Sequence, residues 1–382
     1  MSAATAAPLR LPRAGGVLEE YAVGEPDAFA VPGRPPSSRV AFAAAHVVAD
    51  PLGEPGALDW DATLAFRRHL WSHGLGVAEA MDTAQRGMGL DWPAARELIR
   101  RSAAEAPAGA RLAAGAGTDH ASPRRLADVR AAYEQQCELV EDAGAQVIVM
   151  ASRALATVAR GPDDYRDVYA AVLGGLRTPA ILHWLGDMFD PALRGYWGSN
   201  DLDEAAEVVL DIIAAHADRV DGIKVSLLDE AREVAFRRRL PEGVRLYTGD
   251  DFNYPTLIAG DAEGHSDALL GVFDAIAPAA AAALAALDRG DRAEYDRLLA
   301  PTVPLARRLF EPPTFHYKAG IAFLAFLNGH QEHFRMLGGL ESVRSITHLA
   351  DLFVLADRAG LLRDPALAVA RMRHVLALAG IA

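Results

Sequence analysis

Lysine is almost missing from this chain. Among 382 residues and 38 basic side chains, only Lys224 and Lys318 are lysines, and the other 36 are arginines. Arginine serves wherever a surface needs positive charge alone, but it stays protonated at workable pH and cannot be an amine nucleophile. A buried lysine can, because burial disfavours its charged form. The scarcity singles out both lysines. The structural alternative is codon bias toward arginine, with lysine kept for a salt bridge.

Other absences exclude whole classes of function. Cys137 is the only cysteine, so neither an internal disulfide nor a cysteine-type zinc cluster can form. It falls in the helical pattern of Tyr133 to Val140 and reads as a core or helix-face thiol. The net charge of −13 lacks the basic footprint of a nucleic-acid binder and opposes an anionic membrane surface. No run of about 18 apolar residues is free of charge and proline, so no membrane span is expected. Met1 to Gly16 lacks the continuous apolar stretch of a signal peptide, and a cytoplasmic location is the expectation. With 51% hydrophobic residues the chain is expected to fold around a large core.

What is present is alternation. Residues 1–38 are rich in Pro, Gly and Ala and read as an N-terminal arm or small hairpin. From Arg39 onward, apolar strand-like runs alternate with amphipathic helical runs. The first pair is Val40–Ala45 with Trp60–His73, and the last is Ala268–Phe273 with Ala277–Leu287. Eight such units in roughly 250 residues predict parallel strands closed into a (β/α)8 TIM barrel over residues 39–288. No GxGxxG follows the first strand, which speaks against a dinucleotide site. Residues 289–382 show helical periodicity only and form a predicted C-terminal helical region.

In such a barrel the chemistry gathers at the C-terminal ends of the strands. Read in order, those ends carry His46, then Glu79 with Asp82 and Thr83, Asp119 with His120, Ser152 with Arg153, His183, Lys224, Asp250 with Asp251, and His265. Each alone has a structural explanation: an Asp caps the next helix, and a His is hydrogen-bonded in the core. The joint pattern is what points to a site. Lys224, in the buried run Val220 to Ser226, stands where a Schiff-base lysine of a barrel aldolase would.

Three ordered segments carry a resemblance: Ile181-Leu182-His183, Gly222-Ile223-Lys224 and Thr248-Gly249-Asp250-Asp251. They resemble the Ile-Leu-Tyr, Gly-Ile-Lys and Ser-Gly-Asp-Asp segments of the dihydrodipicolinate synthase / N-acetylneuraminate lyase superfamily. Ala114-Gly115-Ala116-Gly117 and Glu311-Pro312-Pro313 are similar to further segments of that family. An uncharacterised dihydrodipicolinate synthase-like branch is implied, from about Arg39 to the C-terminus.

The resemblance implies a class I aldolase or lyase, with Lys224 as nucleophile, no cofactor, a small-molecule carbonyl substrate and a homo-oligomer. His183 replaces a family tyrosine and is expected to move protons. Asp82, Thr83, Ser152, Arg153, Asp250 and His46 are the expected substrate contacts. The family's Gly-Thr-Thr-Gly-Glu loop aligns with Glu79 to Ala84, where one threonine remains beside Asp82. That carboxylate would repel a 2-oxo acid, which points toward a polyhydroxylated keto compound. Lys318 is expected at the pocket rim or in a structural role. The segment His330 to Arg335 reads as a polar connection between helices.

Two alternatives use the same residues differently. A divalent-metal lyase or isomerase acting on a sugar-like substrate would draw ligands from His46, Glu79, Asp82, His183 and Asp250. No HxH or HExxH spacing supports it. A non-catalytic small-molecule sensor on the same scaffold is the other.

Overall fold

The computed structural model describes residues 8–381. The first seven residues of the predicted arm, with that part of the Met1–Gly16 reading, lie outside the described residues.

Eight strands form the barrel: β3 (Ala41–Ala44), β4 (Gly76–Glu79), β5 (Leu112–Ala116), β6 (Gln146–Val149), β7 (Ala180–Leu185), β8 (Val220–Ser226), β9 (Arg245–Thr248) and β10 (Asp267–Leu270). Each pairs in parallel with the next, and β10 returns to β3 to close the ring. The strands are mainly apolar because both faces are buried, and Glu79, His183 and Lys224 are ionisable exceptions within them. One face fills the barrel axis with Phe42, Ile148, Ile181, Tyr247 and Leu269. The other packs on the surrounding helices through Val77, Val147, Leu182, Ile223 and Leu270. Aspartates set the helix starts. Asp59, Asp91 and Asp201 accept backbone N–H groups at the heads of Trp60–Ser72, Trp92–Glu105 and Leu202–Ala215, each cap contributing about 1 kcal/mol.

The barrel expected from the alternation is therefore observed, with two local differences. The run Ala268–Phe273 is not one strand: β10 ends at Leu270, and a short helix, Val272–Ala275, begins directly behind Gly271. His265 precedes β10 and lies at the opposite end of the barrel from the strand ends where chemistry gathers. It is thereby removed from the predicted series.

The arm forms a hairpin of β1 (Leu9–Pro12) and β2 (Leu18–Tyr21). It straps onto helix Ile346–Arg358, where Tyr21 donates to Asp357 at 2.6 Å and Arg13 pairs with Asp351. In the C-terminal region, helix Tyr317–Leu327 is buried along its whole length. Gly320 makes this possible, since a Cβ there would collide with Leu309 and come within 2.8 Å of Leu352. The start of this helix delivers Tyr317 and Lys318 to the barrel mouth. Among the described residues no helix is long and apolar enough to cross a membrane.

Glu233 makes a buried pH-sensitive contact beneath β9 and β10, where it accepts from Thr248 at 3.0 Å and Ser266 at 2.8 Å. Burial pushes its carboxyl up from 4.5 to about 8. Between these values the folded state holds a proton that the unfolded chain has released, so stability falls as pH rises through that window. The slope is at most about 1.4 kcal/mol per pH unit. Glu233→Gln is expected to flatten the melting temperature over that range; an unchanged pH profile would refute the assignment.

Candidate active site

β7 and β8 bring the central pair together. His183 lies directly opposite Lys224, and Leu185 opposite Ser226. Side chains alternate along a strand, so Ile181 on the barrel axis puts His183 on the same inner face. Lys224 likewise pairs with the inward Tyr247 of β9. Both residues are buried within their strands. Gly249 leaves room for the lysine: a Cβ there would lie 2.8 Å from Lys224 Cε and collide with Ser226 Oγ. Gly249→Ala is expected to displace the amine and to cost about 1–3 kcal/mol through overpacking, read by denaturation beside activity.

The charges around the pair are specific. Burial draws the Lys224 amine below the ordinary lysine value of 10.5, against the opposing pull of Asp82 and Asp251. Burial, and then the Lys224 charge, hold the His183 imidazole well below 6.5, so it is neutral at pH 7. Its Nε2 lies 3.4 Å from Ser226 Oγ, and its buried Nδ1 has no hydrogen-bond partner among the described residues. Asp251 accepts from Val272 N at 2.8 Å, and burial raises its carboxyl to about 7.

A cavity of about 450 Å³ opens beside His183, lined also by Asp82, Ser152, Arg153, Thr118 and Asp190 among others. Ser152 Oγ lies 2.6 Å from Thr118 Oγ1 and accepts from Leu155 N, which caps the short helix Arg153–Val158. Arg153 is half exposed and pairs through Nε with Asp190 at 2.5 Å. Thr83 turns aside from the cavity, its hydroxyl 2.8 Å from that of Tyr317, whose ring stacks on Phe310.

The structure thus gathers Lys224, His183, Asp82, Ser152 and Arg153 from the predicted set. Four other predicted residues are engaged elsewhere, Thr83 with Tyr317 as above. Glu79 faces away from the axis and forms a fully buried bidentate pair with Arg67, with Ser102 also donating to it. His46 bonds Asp274 at 2.8 Å and packs against Phe66. Asp250 spends its oxygens on the backbone of Phe252 and Asn253 and on the Asn253 side chain. These placements share one feature: each residue sits at or beyond a strand end, where burial is equal on both sides and apolar patterning does not mark which side faces the axis. The five residues of the metal alternative are thereby dispersed, and among the described residues no three His, Cys, Asp or Glu side chains converge as metal ligands.

Two further groups, named in the sequence but given no catalytic or substrate role there, acquire definite surroundings. Asp251, rather than Asp250, acts on Lys224. Counting in twos from the inward Tyr247 through Gly249 would have found it. Lys318 is buried at the mouth, its ammonium donating to Phe315 O at 3.1 Å and lying 4.7 Å from the Tyr317 ring centre. Burial lowers it to about 8, and Asp82, Asp190, Arg153 and Lys224 all act on it. The Lys224 charge is thus among those that act on Lys318, a proximity that no local motif announces.

Solved structures share this barrel at low sequence identity. The chloride-inhibited dihydrodipicolinate synthase of Acinetobacter baumannii, complexed with pyruvate, is 16% identical with a TM-score of 0.64, over 85% of this chain and 100% of that one. A prophage protein of the dihydrodipicolinic acid synthase family from E. coli K12, in complex with pyruvate, is 14% identical with a TM-score of 0.66, over 85% and 99%. The dihydrodipicolinate synthase of Aquifex aeolicus is 14% identical with a TM-score of 0.66, over 85% and 99%. Such likeness shows the fold, and the resemblance read from the three motifs is borne out at that level. No curated protein matches the sequence. A family model does match, over residues 9–381, and the chain belongs to the family it describes, a protein of unknown function (DUF993).

Proposed function

We propose that this protein is a class I aldolase or lyase that forms a Schiff base between Lys224 and a small polar oxo acid or keto sugar. The observation that carries the reading is the Lys224 amine itself. It is buried on the inner face of β8 opposite a neutral His183, and burial lowers its proton affinity. A neutral amine is the form that attacks a carbonyl carbon.

The steps follow from that placement. The Lys224 nitrogen bonds to the carbonyl carbon, two protons pass to the carbonyl oxygen, and water leaves. The resulting iminium accepts the electron pair of the bond between its α and β carbons; that bond breaks to give an enamine while the β-hydroxyl gives up its proton and becomes the carbonyl of the departing fragment, and in reverse the enamine carbon attacks a second carbonyl, whose oxygen takes up a proton. His183 carries protons to and from the departing oxygen, since neutral imidazole presents both a donor and an acceptor. Asp82 and Asp251, the carboxylates acting on Lys224, stabilise the iminium cation.

The test is a borohydride trap. Protein is incubated with 2-oxo acids and keto sugars, reduced, and digested for peptide mass mapping, with a chelator-treated sample alongside. The expected result is one reduced adduct on Lys224, unaffected by chelator, whose rate of formation rises with pH through a value below 10.5. An adduct confined to other residues would overturn the reading, as would loss of adduct formation on chelation.

A further inference from the structure

His183 is neutral, so one of its ring nitrogens carries a proton and the other does not, and the partner of one nitrogen fixes the state of the other. The two have unlike surroundings. Nε2 lies 3.4 Å from Ser226 Oγ, while Nδ1 is buried and has no partner among the described residues. The Ser226 hydroxyl is the polar group that distinguishes them.

Ser226 stands outside the set expected from the sequence. It ends β8, two residues beyond Lys224 and therefore on the same inner face. It is buried, and its hydroxyl makes no other hydrogen bond among the described residues. Gly249 confines it. A Cβ at that glycine would lie 2.2 Å from Ser226 Oγ and 2.8 Å from Lys224 Cε, so the hydroxyl and the stem of the amine flank the same backbone. Packing thus holds the contact with His183 beside the reacting nitrogen. Catalytic hydrogen bonds of this length commonly tighten when substrate binds.

The position of the proton follows from cost. If Ser226 donated to Nε2, the imidazole proton would sit on Nδ1 with no acceptor. Buried N–H groups without an acceptor are rarer than buried acceptors without a donor, and they bear the desolvation penalty of the group. The cheaper arrangement puts the proton on Nε2, with Ser226 Oγ accepting, and leaves Nδ1 a bare lone pair.

We infer that Ser226 is a positioning residue: its hydroxyl holds His183 in the tautomer protonated at Nε2, so that Nδ1 is the base of the site. In iminium formation Nδ1 takes a proton from the attacking nitrogen and returns it to the oxygen that leaves as water. In cleavage it takes the β-hydroxyl proton as that carbon becomes a carbonyl, and returns it to the enamine carbon. The Nε2 proton stays on its nitrogen throughout, and Ser226 steadies the transient imidazolium. These steps rest on the Schiff-base reading; the tautomer does not.

Two measurements separate the two ideas. The first is the pair of ring-nitrogen shifts of His183 in the protein alone at neutral pH, from two-bond proton–nitrogen correlation spectra, assigned by their loss in His183→Gln. The wild type is expected to show a protonated Nε2 and a bare Nδ1. Ser226→Ala, which removes one buried oxygen, is expected to lose this single tautomer and show a mixture. A wild type protonated at Nδ1 overturns the assignment, as does a Ser226→Ala spectrum with the wild-type tautomer.

The second is the rate of borohydride-trapped adduct formation on Lys224 with dihydroxyacetone and with 2-oxobutyrate. Ser226→Ala is expected to lower the rate at saturating probe about tenfold and to leave the half-saturating concentration unchanged, because the hydrogen bond acts on His183 and not on the bound carbonyl. An unchanged saturating rate overturns the positioning role and leaves the Schiff base standing. If neither probe traps, the Schiff-base reading falls and the nitrogen shifts still decide the tautomer.

Discussion

Lys224→Met is expected to abolish adduct formation and to lower turnover of any compound that traps on the wild type by about 10⁴-fold or more. Methionine matches the length and apolar stem of lysine but offers no amine. The loss should come without unfolding, because Met removes a charge from an interior that already opposes it. Lys224→Arg sharpens the test. It keeps a positive charge near Asp82 and Asp251 yet cannot lose its proton, so it should be equally inactive. A lysine that served only to balance those carboxylates would be rescued by arginine. Turnover by the Arg variant within tenfold of wild type would therefore end the Schiff-base reading, whatever the Met variant did.

The second large effect is on stability and lies just outside the barrel wall. Glu79→Ala is expected to cost about 3–5 kcal/mol, because it leaves the Arg67 guanidinium buried without its counter-charge. Both side chains of the pair are fully buried. Arg67 also donates to the carbonyl oxygens of His46 and Thr63, so it cannot swing out to water without breaking a contact that ties the segment after β3 to helix Trp60–Ser72. Urea denaturation is the measurement, with the midpoint expected to fall and the slope to stay constant. A change below about 1 kcal/mol would mean that water reaches Arg67 in the folded state. Replacing both partners with apolar residues of similar volume should restore much of the loss, since the cost is that of the orphaned charge.

These two residues mark how far the sequence could be read. Glu79 and Lys224 both stand on predicted barrel strands, and both are ionisable in apolar surroundings. Lys224 was separable because lysine is scarce here and because Gly222-Ile223-Lys224 matches a motif whose chemistry needs an inward amine. Glu79 carried no such mark. Its partner, Arg67, is one arginine among many, and the separation of 12 positions spans a helix and a turn whose geometry no spacing rule supplies. The partners of His46 and Asp250, namely Asp274 and the Phe252–Asn253 backbone, were hidden for the same reason: they depend on how the chain leaves a strand.

The sequence by itself determined the barrel. Parallel strands buried on both faces must be continuously apolar, the helices between them must be amphipathic, and these two periods repeat eight times in the chain. It also determined the candidate amine, through the near absence of lysine elsewhere. Only the tertiary structure decided which acids reach that amine, that Ser226 and Gly249 shape its space, and that Tyr317 and Lys318 come to the mouth from a helix roughly ninety residues beyond Lys224. The physical reason is that alternation and periodicity record burial, which is local to each element. The meeting of charges across a barrel mouth depends on closure and register, and these are settled only when all eight strands and the C-terminal helices have packed.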